Sequence, residues 1–143
     1  MQVKYPSNVF FECIKCGLCC RDDGNHRRRI LLTSLDVENI VKATRLASDD
    51  FCRSSHSTLK PFGYIMKKEA GSCLFLDGNS MCRIYDSRPI ICRCYPFSVE
   101  FESSNTVLFA SSKECPSIGN GVMMRKKFFE KLAAEVKNNL KSC

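Results

Sequence analysis

The sequence predicts a small α+β domain. Short antiparallel strands and cysteine-bearing loops are expected around one or more metal sites, with an amphipathic helix at the C-terminal end. Three observations predict it. Short apolar runs alternate with clusters of Asp, Gly, Asn and Ser, which punctuate strands and turns. One stripe of apolar residues, from Met124 to Leu140, recurs at helical spacing. Eleven of the 143 residues are cysteines, several separated by only two residues. A chain of this length fits a single cysteine-rich domain over residues 1–143 and can bury a core.

Each element has its own signal. Val9-Phe10-Phe11-Glu12 is apolar and extended and delivers the chain into Cys13-Ile14-Lys15-Cys16-Gly17-Leu18-Cys19-Cys20. Asp22-Asp23-Gly24-Asn25 reads as a turn and 27–32 as a short strand. Thr33-Ser34-Leu35-Asp36 resembles a capping box, with Thr33 as N-cap and Asp36 at N3, opening a helix to about residue 47. A second helical piece, from about residue 49 to 55, carries Cys52. Residues 62–68 have strand character, and a turn over 69–72 leads into Cys73-Leu74-Phe75-Leu76. A further turn over 77–80 precedes Cys82, and one irregular helical turn is expected near Pro89. Residues 97–101 and 106–110 read as a hairpin. From about Gly121 to Leu140 a helix presents Met124, Phe128, Leu132, Val136 and Leu140 on one face, widened by Phe129 and Ala133. Arg125, Lys126, Lys127, Lys131 and Lys137 take its wet side.

Composition narrows the function classes. Eleven cysteines fit either a secreted disulfide scaffold or a thiolate metal site. The odd count and the two-residue gaps favour metal, because such gaps are too tight for most disulfide geometries. The start, Met1-Gln2-Val3-Lys4-Tyr5-Pro6, has no apolar signal core, and no stretch reaches the ~20 apolar residues of a membrane span. A cytoplasmic protein with no membrane partner is therefore expected. The formal charge of +7 invites a nucleic-acid reading. Thiolate metal sites carry negative charge, however, and two of them would bring +7 to about +3. Nucleic acid ranks last among the partners considered.

The vicinal pair Cys19-Cys20 constrains the chemistry. On an extended chain neighbouring side chains point in opposite directions, so the two thiols are expected to serve different sites, or one of them to be a bystander. The spacing of Cys13, Cys16 and Cys19 is that of three ligands in bacterial four-iron ferredoxins, whose fourth ligand comes from elsewhere. Structural zinc more often uses two separated pairs. A 4Fe-4S iron–sulfur cluster is therefore favoured as the cofactor, with zinc as the alternative.

The order of motifs resembles the CxxCxxCC, or YkgJ-like, family of zinc- or iron-chelating domains. The resemblance runs through 11–20, Leu32-Thr33-Ser34-Leu35-Asp36, Cys73-Leu74-Phe75-Leu76 and Cys82-Arg83-Ile84-Tyr85. It continues through Arg88-Pro89, Cys92-Arg93, Tyr95-Pro96-Phe97 and the glycine segment after Cys115. It implies that Cys13, Cys16, Cys19, Cys20, Cys73, Cys82, Cys92 and Cys115 are the metal-binding set, with Cys52, Cys94 and Cys143 outside it. Eight thiols make two tetrahedral sets, or one cluster with four thiols left over; the grouping expected is Cys13, Cys16, Cys19 and Cys92 on one site, with Cys20 near Cys73, Cys82 or Cys115. Cys94, two residues from Cys92, departs from the family pattern.

The remaining candidates are weighed against ordinary roles. Arg83, Arg88 and Arg93 are placed to steady thiolate charge or simply to sit at the surface, with Arg88 or Arg93 pairing Asp86. Tyr85, Tyr95 and Phe97 are read as core walls. His26 and His56 fit no ligand spacing and are read as polar surface positions. Arg27, Arg28 and Arg29 are read as a solvated strand edge rather than a phosphate contact. The function expected is metal chelation through clustered thiolates. The alternative is a redox or methyl-transfer enzyme, because a similar cysteine domain occurs in flagellin lysine methylases; no general base, nucleophile or nucleotide loop emerges from the sequence.

Overall fold

The computed structural model describes residues 1–23, 27–56 and 61–141. Gly24 and Asn25 of the expected turn, together with His26 and Cys143, lie outside them. In chain order come β1 (Gln2–Lys4), β2 (Phe10–Phe11), β3 (Leu31–Leu32), α1 (Ser34–Thr44), α2 (Ser48–Phe51), β4 (Cys52–Ser54), β5 (Tyr64–Met66), β6 (Lys68–Glu69) and β7 (Ser72–Cys73). They are followed by α3 (Ile90–Cys94), β8 (Phe97–Ser103), β9 (Thr106–Ser111), β10 (Val122–Met123) and α4 (Lys126–Lys141). The fold is mixed α+β, with short and mainly antiparallel strands. Among the described residues, no helix is long and apolar enough to cross a membrane.

The chain forms two compact units, one of residues 1–14 and 94–138 and the other of residues 15–93 and 139–143. In the first, β8 and β9 form the expected hairpin, with Phe97 opposite Ser111, and β1 adds in parallel to the far side of β9. The core gathers on Phe129 of α4, which is fully buried. Its ring stacks on Tyr5 at 4.8 Å and meets Phe97 edge-on at 5.1 Å, geometries that suit the aromatic quadrupole. Phe129, Leu132, Ala133 and Val136 are the buried face of the helix, while Phe128 is 37 % exposed, so the apolar stripe is rotated toward Phe129. The helix also starts later than its periodicity predicts. Val122 and Met123 instead pair with Phe11 and Phe10, and a residue held in a strand ladder cannot enter the helix. Gly121 allows this pairing: a Cβ there would stand 2.3 Å from the Cβ of Glu12, and its φ is +85°.

In the second unit β5 lies between β3 and β4, and β6 pairs with β7. Ile30, Leu32, Ile40, Phe51, Met66, Phe75 and Ile84 make its core. The Thr33–Asp36 capping box is present, and Arg45 closes α1 in the left-handed conformation. The second helical piece is shorter than expected. It ends at Phe51, and Cys52 opens β4, where it pairs opposite Met66. Pairing with β5 and burial of the Cys52 side chain outweigh the weak helical preference of so short a segment.

Candidate metal centre

The thiol-rich run is not extended at its vicinal pair. Gly17 sits at φ +76°, a conformation that costs glycine little, and turns the chain into a 3-10 turn over Leu18–Cys20. The turn closes with Cys20 N donating to the Gly17 carbonyl at 3.0 Å. As a result the Cys19 and Cys20 sulfurs face each other at 3.8 Å. The expectation that they diverge is corrected here, because it assumed the alternation of a strand.

Arg21 fixes this turn, a role that the thiol spacing did not reveal. Its Nη2 donates to the Cys16 carbonyl at 2.5 Å and to Ser80 Oγ at 2.8 Å, and its Nε donates to the Gly17 carbonyl at 3.3 Å. Ser80 belongs to a turn organised by Asp77, whose Oδ1 accepts from Asn79 N at 2.8 Å and from Met81 N at 2.9 Å. That turn brings Cys82 back to bridge Leu76, so Cys73 on β7 and Cys82 stand at the two ends of one small loop. Cys92 lies in α3, its N–H bonded to the Pro89 carbonyl at 3.0 Å.

These segments bring five thiols within electrostatic reach of one another. Cys20, Cys73, Cys82 and Cys92 are each pushed up by the charge of Cys19, and Cys92 also feels Cys73 and Cys82. The hydrogen bond from Cys20 holds the Cys19 thiol down at about 6, assisted by Arg28 and Arg88. The same bond, followed by burial, raises Cys20. Burial is the main cause of the upward shifts at Cys73, Cys82 and Cys92. One thiol of lowered pKa thus stands among four whose pKa is raised. Among the described residues, no three His, Cys, Asp or Glu side chains already stand together at ion-binding spacing. The donor set itself suits zinc or iron, since all five groups are soft sulfur ligands.

The other expected ligands fall elsewhere. Cys16 is in the same unit and half-buried, with its carbonyl held by Arg21. Cys13 and Cys115 belong to the other unit, as does buried Cys94. Cys52 is buried in the core of its unit and donates to the Ser48 carbonyl at 3.3 Å. Of the three arginines expected near the late cysteines, Arg88 lowers Cys19, Cys82 and Cys92. It is steadied by its Nε bond to the Tyr85 carbonyl at 2.8 Å and lies over the Tyr85 ring at 3.8 Å. Tyr85 is therefore a 44 % exposed platform for Arg88 and not a core wall.

The comparisons with known proteins agree with this chemistry. The model of the CxxCxxCC family, described as "Putative zinc- or iron-chelating domain", matches residues 12–117 and so crosses both units. The chain is 31 % identical over 107 residues to the uncharacterized protein MJ0661 of Methanocaldococcus jannaschii, covering 73 % of this chain and 54 % of that protein. It is 28 % identical over 123 residues to the uncharacterized protein MJ0939 of the same organism, covering 82 % of this chain and 40 % of that protein. The chain thus spans about half the length of the curated relatives it matches. No solved structure matches it. With the motif order, the thiol group and a family match over most of its length, the chain belongs to the CxxCxxCC family of zinc- or iron-chelating domains.

Proposed function

We propose that this chain chelates a single metal ion, zinc or iron, through four thiolates drawn from Cys19, Cys20, Cys73, Cys82 and Cys92. The observation that carries the reading is the 3.8 Å separation of the Cys19 and Cys20 sulfurs. Tetrahedral coordination at a Zn–S distance of about 2.3 Å sets ligand sulfurs about 3.8 Å apart. A vicinal pair already at that spacing supports shared ligation of one ion. The low Cys19 thiol supplies the first thiolate, and the ion's charge then stabilises the remaining thiols as they ionise. Arg28 and Arg88 offset part of the resulting negative charge.

A second reading, a 4Fe-4S cluster, is favoured by the spacing of Cys13, Cys16 and Cys19. Such a cluster seats its thiolates on different irons and so spaces them more widely than a single ion does. Cys13, Cys16 and Cys115 complete the eight ligands that the family resemblance implies. The enzyme alternative gains no support from the comparisons.

Anaerobic purification followed by metal and sulfide analysis tests both readings. Colourless protein with one zinc, or with iron and no sulfide, supports the single ion. Brown protein with iron and sulfide supports the cluster. Protein that takes up neither metal at stoichiometric level after reconstitution overturns chelation itself.

A further inference from the structure

The second unit also carries a concavity of about 720 Å³ beside the β3–β5–β4 sheet. Its lining includes Arg28, Arg29, Arg53, Lys67 and Lys68, and among the described residues contains no acidic one. The sheet register sets Arg53 opposite Ile65, which lies in the floor and is almost fully buried. Lys68 is held by Asp22 Oδ1 at 2.6 Å, which offsets one positive charge and fixes its position. Lys67 is fixed by donating its ammonium to the Asp49 carbonyl. Arg29 and Arg53 are exposed at the rim.

Like charges gathered around one cleft repel one another, and a cleft of one sign over a low-dielectric floor concentrates the field on its contents. An anion relieves that repulsion, and arginine forks match phosphate oxygens in pairs. The volume lies in the range of small-molecule sites. We propose that this groove binds a ligand with clustered phosphates, of the size and charge of a nucleoside triphosphate. The run Arg27–Arg29, which reads in the sequence as a solvated edge, becomes in part the wall of a site. Arg28 also acts on Cys19, so the test leaves it unchanged, and the inference does not depend on which metal is bound.

The test uses the full chain as purified and a fluorescent adenosine triphosphate, without magnesium, followed by anisotropy. Inorganic triphosphate is the competitor. Binding is expected to weaken at least tenfold between about 50 and about 200 mM salt. It is expected to fall at least tenfold in the double variant Arg29→Glu/Arg53→Glu. The charge-matched control Lys127→Glu/Lys131→Glu, on exposed positions of α4, is expected to bind within about twofold of the parent. Both rim arginines are exposed, so thermal melting should show both variants folded; if the first is not, Arg29→Gln/Arg53→Gln replaces it with the same expected loss. Equal losses in the two charge-matched variants would mean that only net charge matters, and would overturn the site. Failure of inorganic triphosphate to compete would overturn it as well. A labelled single-stranded oligonucleotide forms a second arm: displacement by triphosphate places both ligands in this groove and supports the proposal. Oligonucleotide binding that triphosphate does not displace assigns the charge to a nucleic-acid surface and overturns it.

Discussion

Asp36 Oδ1 accepts the backbone N–H of Ile90 at 3.0 Å, joining the capping box of α1 to the first turn of α3 across 54 residues of sequence. The same oxygen accepts Asn139 Nδ2 at 3.0 Å, and Oδ2 accepts Thr33 N at 3.0 Å. Thr33 Oγ1 completes the network by donating to Asn139 Oδ1. Thr33, Asp36 and Asn139 are all buried, so water cannot replace a lost partner. A helix cap has thereby become the anchor of the segment that carries Cys92.

This anchor yields the first prediction. Asp36→Asn replaces one acceptor oxygen with a donor facing other donors. Leaving one buried N–H unpaired costs about 1–3 kcal/mol, and two can be affected here. The variant should lose about 2–4 kcal/mol of stability in denaturant titration and bind zinc more weakly, because α3 loses its tether. Unchanged stability would show that the network contributes little.

The turn at Gly17 gives a second. A Cβ at this position would lie 2.8 Å from Arg21 Nη2 and 3.1 Å from Ser80 Cβ, on a backbone at φ +76°. Gly17→Ala should cost about 1–2 kcal/mol from the left-handed conformation alone. Its larger effect should be on the metal, since it disturbs the turn that faces Cys19 toward Cys20. A tenfold or greater loss of zinc affinity, against a modest drop in melting temperature, is expected. Parent-like affinity would separate the turn from the site.

Cysteine substitutions should fall into two classes. Cys19→Ser should reduce metal content to well below half of the parent, because it removes the one thiol already held low. Cys52→Ser should retain full metal content but unfold more easily by about 1–3 kcal/mol, since a hydroxyl replaces a thiol in an apolar core. Elemental analysis with thermal melting reads both. Loss of metal in Cys52→Ser in a protein that remains folded would extend the ligand set to the core.

The thiol shifts set a pH dependence. Near neutrality Cys19 is a thiolate, because its pKa is about 6, while Cys20, Cys73, Cys82 and Cys92 are held protonated above the ordinary thiol range. A tetrathiolate made from Cys19 and three of the others therefore releases about three protons on binding. The logarithm of zinc affinity should climb by about three per pH unit between pH ~6.5 and ~8.5, so acid expels the metal. Below about pH 6 Cys19 also protonates, and the slope should steepen to about four. Chelator competition across this range measures it, and a flat profile would exclude these thiols as ligands.

The sequence by itself determined the kind of chemistry, the main helices and the hairpin. Cysteine spacing carries the metal signal directly, the Thr33–Asp36 box and the stripe ending at Leu140 are local helix signals, and the β8–β9 hairpin is read from two apolar runs and the turn between them. Tertiary structure decided what depends on partners distant in sequence. Pairing with Phe10 and Phe11 took Val122 and Met123 out of the final helix, and pairing with β5 made Cys52 part of a strand. The orientation of Cys19 and Cys20 turned on one left-handed glycine and an arginine clasp, which one-dimensional alternation does not encode. The basic groove arose in the same way, because Arg29, Arg53 and Lys67 become neighbours only when the chain folds back on itself. Spacing records which atoms are available to a site; the direction each one faces is set by the backbone turns and contacts that surround it.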